Sequence, residues 1–115
     1  MKAIWKIFGA YLLLLFFLLA WGTAFSQITV IHFNADFNKQ NNVVWFSKLK
    51  ECDTQTLLIE QNDNQSKYNI AIVPTIVVYD DNEEVKRFQA DLSFSMVATR
   101  KEVQEYIDEL IISKF

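Results

Sequence analysis

The sequence predicts an α/β domain: a four-stranded mixed sheet flanked by helices, in the order β-α-β-α-β-β-α. Three observations carry this reading. Short runs rich in β-branched or aliphatic residues at 27–34, 56–60 and 72–79 alternate with polar or helix-patterned segments. A polar turn cluster at 80–83 joins the third run to a fourth strand at 84–89, making a hairpin. The chain closes on an amphipathic helix in which Val103, Tyr106, Ile107, Leu110 and Ile111 recur at helical spacing. Two strand–helix–strand steps followed by a hairpin and a helix give a mixed rather than a purely antiparallel sheet.

The elements follow in order. Residues 27–34 (QITVIHFN) read as a buried strand bounded by polar residues. The polar stretch 38–42 supplies capping residue types for a helix over 43–50, where Val43, Phe46 and Leu49 share one face. Residues 56–60 (TLLIE) form the second strand, and 62–68 hold a short helix or turn. Pro74 falls near the start of the third strand, the position where a missing ladder hydrogen bond is tolerated, and a cis Val73–Pro74 bond is expected there. The first, second and third strands are expected to be central, with the hairpin strand at one edge. Residues 91–98 are an irregular connection. Thr99 and Glu102 then form a T-x-x-E capping box for the last helix.

Composition excludes several classes of function. Apolar residues make up 51% of the chain, enough to build a core and too many for a disordered protein. Two Gly and one Pro leave no room for a Gly-rich phosphate loop or a Pro-rich linker. One Cys and one His rule out a disulfide framework and a Cys/His zinc site, so neither a metal nor another cofactor is expected.

Residues 1–26 differ from the rest. Lys2 and Lys6 precede the apolar run 7–21, and Ala24-Phe25-Ser26 follows, the anatomy of a secretory signal peptide cleaved before Gln27. The alternative is an uncleaved anchor through residues 7–21, which is short for a membrane span. Both readings export the domain at 27–115, to the periplasm or the exterior. A membrane is a partner only if the segment is retained. The exported part holds 9 basic and 14 acidic residues, a net charge of −5, and has no basic stripe, so nucleic acid is not expected as a partner.

The octapeptide YNIAIVPT at 68–75 resembles the segment around the cis-proline of thioredoxins, where Y-x-I-x-x-x-P-T opens a central strand. Upstream, VIHFNADF at 30–37 resembles the thioredoxin strand that ends in F-x-A-x-W. The resemblance spans residues 28–110, agrees with the order of the elements, and implies a short thioredoxin-like fold.

Departures from that family decide the expected function. The resemblance implies a C-x-x-C pair directly after the position of Phe37, but Asn38-Lys39-Gln40-Asn41 stands there. Disulfide exchange needs one thiolate to attack and a second thiol to resolve, and asparagine supplies neither. The family's buried carboxylate is replaced by His32, which reads as a core or edge histidine rather than a base. Cys52 has acidic neighbours that disfavour a thiolate, and reads as a half-buried residue at a helix end. A disulfide to another chain is its functional alternative. Asp36, Glu60 and Asp63 read as solvated strand ends, and Asp80, Asp81, Glu83 and Glu84 as a charged turn without the Gly of a calcium loop. Trp45, Phe46, Phe88 and Phe94 read as core or rim.

The sequence thus predicts a non-enzymatic module that binds a protein or extended peptide. The resemblance implies that the residue before the cis-proline pairs its backbone with a client. Phe37, Val73 and Pro74 are expected to form that surface, with Asn38 and Asn41 supplying hydrogen bonds. Gln27 leads straight into the first strand, which leaves strand 56–60 as an exposed edge and a candidate for homodimer pairing. The alternatives are a redox accessory acting through Cys52 with a partner thiol, and a membrane-tethered scaffold.

Overall fold

The computed structural model describes residues 27–115, and the signal or anchor expected at 1–26 lies outside the described residues. Four strands form one sheet: β1 (Ile28–Asn34), β2 (Asp53–Leu58), β3 (Thr75–Asp80) and β4 (Glu83–Gln89), in the spatial order β2-β1-β3-β4. β1 runs parallel to β2 and antiparallel to β3, and β3 runs antiparallel to β4. The sheet is therefore mixed. Two α-helices accompany it, the single turn α1 (Asn64–Lys67) and the long α2 (Arg100–Ile112).

β1 and β3 are the two inner strands, and both of their faces are covered, which is why they read as continuous apolar runs. On one face Ile28, Val30, Ile76 and Val78 pack with Val103 and Ile107 of α2 and with Val43, Phe46 and Leu49. On the other, Ile31, Phe33, Ala35 and Val77 pack under Ile70 and Val73 from the β2–β3 connection. α2 begins as its capping box predicts: the Thr99 hydroxyl accepts from the Glu102 N–H at 3.2 Å. Lys114 Nζ pairs with Asp80 and fixes the end of α2 to the end of β3. The β3–β4 turn has positive φ at both Asp81 (51°) and Asn82 (68°), the requirement of a tight hairpin that Asp and Asn meet more readily than bulky residues.

Three expectations are corrected. No α-helix forms over 43–50; two 3-10 helices, Asp36–Asn41 and Phe46–Lys48, stand in that region. Adjacent β-branched Val43 and Val44, directly preceded by Asn41 and Asn42 whose side chains hydrogen-bond locally, disfavour a continuous helix. Val43, Phe46 and Leu49 are nevertheless buried, so the apolar spacing locates the core residues while misjudging their backbone. The second strand is shifted to Asp53–Leu58, since it follows the register of β1 from Thr29 to Asn34. It is also an edge strand, which overturns its expected central place but agrees with the exposed edge expected from the missing outer neighbour; it is exposed from Asp53 to Thr56, with β1 as its one neighbour among the described residues.

The two faces of α2 make a clear test. Ile107 is fully buried and Ile112 is 69% exposed. Ile107→Ala is expected to lower the unfolding free energy by about 3 kcal/mol in urea titration, and Ile112→Ala by under about 0.5 kcal/mol.

Candidate functional site

The site forms at the C-terminal end of β1. Here the chain leaves the sheet through Ala35 into the first 3-10 helix, and β3 begins beside it at Thr75, the register partner of Phe33. Two further segments converge on this end: residues 59–73, between β2 and β3, and the loop after β4. Together they enclose a cavity of about 260 Å³ lined by Phe37, Ile59, Ile70, Ile72, Val73 and Phe94 among others. Phe37 and Phe94 meet edge to face at 5.6 Å between ring centres and are 65% and 40% exposed. Exposed aromatics in such a pair present apolar surface at small entropic cost.

Asn38 holds this arrangement. It is only 2% exposed, and each polar atom of its amide is engaged. Nδ2 donates to Asn34 Oδ1 at 3.1 Å and to the Phe94 carbonyl at 3.0 Å. Oδ1 accepts from Asn41 Nδ2 at 2.9 Å, and the Asn38 carbonyl accepts from Asn34 Nδ2 at 3.1 Å. Asn34 Nδ2 also reaches Asn42 Oδ1. Four asparagines thus form one network joining the end of β1 to the 3-10 helix and, 56 positions along the chain, to the loop that carries Phe94. Phe94 itself has φ of 61°, a left-handed conformation costing roughly 1–2 kcal/mol for a non-glycine residue. Its carbonyl bond to Asn38 and its N–H bond to the Asp91 carbonyl at 3.1 Å hold it there.

The other predicted site residues sort by burial. Val73 and Pro74, joined by a cis peptide bond, are buried, so they do not form the apolar surface with their own side chains. Val73 lines the cavity, and neither its N–H nor its C=O is engaged by another described residue. Asn41 is half-buried and keeps its Oδ1 uncommitted among the described residues, whereas both Nδ2 donors and the Oδ1 of Asn38 are taken. Ile59 and Ile72 join the site without having been singled out from the sequence, and Phe94, expected as core or rim, stands at its mouth. Glu60 accepts from the Asp36 N–H at 2.9 Å and so caps the 3-10 helix from across the connection. Among the described residues no group of three or more His, Cys, Asp and Glu side chains could hold a metal ion. No described helix is long and apolar enough to cross a membrane.

Cys52 is remote from this place. It immediately precedes β2, which runs parallel to β1, so it lies at the start of the sheet while Asn34 and Asn38 lie at the end. Burial pushes its thiol up to about 11, and the charges of Asp53, Asp108 and Glu51 add to the effect. The group is a thiol at neutral pH, a poor nucleophile and a poor redox partner.

Thioredoxins of known structure share this shape. A mutant thioredoxin from Halobacterium salinarum NRC-1 superposes with a TM-score of 0.58 at 17% identity, over 76% of this chain and 77% of that one. Thioredoxin 1 from the thermophilic eubacterium Thermosipho africanus TCF52B gives 0.55 at 20% identity, over 76% and 99%. The fold is thioredoxin-like. Fasciola hepatica thioredoxin adds a TM-score of 0.51 at 21% identity, over 72% and 80%. At these identities the likeness concerns the fold alone. No family model matches the sequence, and neither does any curated protein. In this thioredoxin-like chain the 3-10 helix after β1 carries asparagines at both ends of the tetrapeptide, Asn38 and Asn41, bonded to each other.

His32 lies behind the network, on the α2 side of β1. It is buried, packs on Phe46 at 5.3 Å between ring centres, and leaves Nε2 without a hydrogen-bond partner. It is thus a core histidine, but not a satisfied one. Burial lowers its pKa from 6.5 to about 4. The folded state therefore binds fewer protons than the unfolded one between those values. Its contribution to stability is complete above pH 6.5 and is lost as the pH falls through 4. Comparing wild type with His32→Leu by urea unfolding, the wild type is expected to lose about 3 kcal/mol more between pH 7 and pH 4.

Proposed function

We propose that this chain is an exported thioredoxin-like domain without dithiol chemistry, which binds an extended segment of a partner protein across the Phe37–Phe94 groove. One observation carries the reading. The apolar cavity is lined in part by Val73, whose main-chain N–H and C=O no other described residue engages. An extended peptide satisfies such groups by adding itself as a short strand, and its side chain fills the cavity beside them. The cavity of about 260 Å³ has room for one large apolar side chain. Asparagines at the tetrapeptide positions and the protonated, remote Cys52 support a binding rather than a redox role.

Export rests on the character of residues 1–26, and the mass of the native chain, beginning at Gln27 or at Met1, decides between a released and a tethered domain. Pairing of two copies through the outer edge of β2 is part of the same proposal, and a monomer in sedimentation velocity removes that part.

Peptide binding is tested by fluorescence polarisation of the full chain against a library of extended peptides with single apolar anchors. Phe37→Ala and Phe94→Ala are each expected to weaken the best peptides about tenfold, the loss typical of an interface anchor. Unchanged affinity in both variants, or no binding by any peptide, would contradict the proposal.

A further inference from the structure

The edge strand β4 reaches across the sheet to the wall of the apolar cavity. Arg87 pairs with Val77 of β3, and paired residues point to the same face of a sheet, so its side chain rises on the face that Ile70 and Val73 cover. There the guanidinium donates from Nη1 to the Asn69 carbonyl at 2.8 Å and from Nη2 to the Tyr68 carbonyl at 2.9 Å. Among the described residues nothing else donates to these two carbonyls. Glu84, three positions back in β4, accepts from Nε at 3.0 Å and from Nη2 at 2.7 Å and so fixes the plane of the fork.

What this clamp holds leads directly into the site. Asn69 has φ of 54°, in the left-handed turn that follows α1, and Ile70 to Val73 come next as cavity wall. The Ile70 N–H closes the turn on the Gln65 carbonyl at 2.9 Å, but the N–H groups of Ala71, Ile72 and Val73 have no partner among the described residues. No regular ladder fixes this stretch of wall. It is held from its two ends instead. Arg87 holds the main chain before it; after it, the Ala90 N–H just beyond β4 donates to the Pro74 carbonyl at 3.0 Å, and the Thr75 hydroxyl donates to the Ile72 carbonyl.

We infer that Arg87 is a positioning residue of the peptide groove, whose guanidinium orders the main chain entering the Ile70–Val73 wall before a peptide arrives. The inference rests on the peptide-binding reading above. Order in advance matters because a wall that must be fixed on binding lowers the affinity by the cost of fixing it. Arginine suits this task and lysine does not. A planar fork spans two carbonyls and a carboxylate at once, whereas an ammonium is a compact point charge. The side chains of Arg87 and Glu84 are 20% and 41% exposed, so their ion pair adds little to global stability and its loss acts locally.

The test uses the full chain and an extended peptide with a single Phe anchor. In Arg87→Ala, protection of the Ile70 amide from hydrogen exchange is expected to fall about tenfold, with a smaller change at Val77 and Val78, and saturating peptide is expected to restore it. Affinity read by isothermal titration calorimetry is expected to fall about fivefold in Arg87→Ala and equally in Arg87→Lys. Lys114→Ala, which removes an ion pair at the opposite end of the sheet, is expected to bind as the wild type does. Unchanged Ile70 protection, protection that stays low under saturating peptide, wild-type affinity in either Arg87 variant, or an equal loss in Lys114→Ala overturns the positioning role. If Phe37→Ala still weakens binding in that case, the peptide-binding reading stands. Failure of the wild type to bind any peptide overturns both.

Discussion

The buried amide of Asn38 is the interaction on which the rest of the site depends. Burying a primary amide is costly unless its donors and acceptor find partners. Here both donors and the acceptor do, and the partners come from three separate pieces of chain: the end of β1, the 3-10 helix and the loop beyond β4. Each of these bonds, if left unmade in the interior, costs about 1–3 kcal/mol. That is enough to offset the roughly 1–2 kcal/mol of holding Phe94 at positive φ. The network thus fixes a strained aromatic at the mouth of a cavity, and strain of this kind persists only where the surroundings over-determine it.

The sheet explains why the network stands where it does. β1 is buried on both faces, so its residues alternate between two cores: Ile28, Val30, His32 and Asn34 toward α2, Ile31 and Phe33 toward the β2–β3 connection. Asn34 is the last of the first set. It emerges at the sheet end with its amide still buried, and a partner of matching polarity must follow. Asn38 and Asn42 are those partners. His32, one step earlier on the same face, has none for Nε2, and packing on Phe46 compensates it only while the ring is neutral. A fully engaged polar side chain and an unsatisfied one thus stand at the same end of the sheet. Parallel pairing of β1 with β2 separates Cys52 from both, which makes the lone thiol a feature of the opposite end.

Much of this is legible in the sequence, and for local reasons. The T-x-x-E box, the DDNE turn and the apolar spacing of α2 each depend on residues a few positions apart, and each appears in the structure. β1 and β3 are recognised as strands because double-sided burial leaves a continuous apolar run, although β3 begins at Thr75, after the proline, rather than at Ile72. β2 is misplaced: TLLIE looks buried, but strand pairing selects DTQTLL, and parallel register with β1 overrides composition. The helix expected at 43–50 fails for the opposite reason, since its apolar spacing is genuine but its paired valines and the hydrogen-bonded asparagines just before them do not start a helix. At the site, Phe37 and the Val73–Pro74 step are legible by pattern. Phe94 is not, because the bond that places it spans 56 residues and begins at a side chain that looks like a surface asparagine.

Amide hydrogen exchange at Phe94 probes this dependence most directly, because its N–H bonds to the Asp91 carbonyl within the loop that Asn38 holds. In Asn38→Ala, protection at Phe94 is expected to fall at least about tenfold relative to wild type, with the drop larger there than at Val77 and Val78 in the central strand. Unchanged protection at Phe94 would mean that the loop holds its shape without Asn38, and would contradict the central role assigned to the asparagine network.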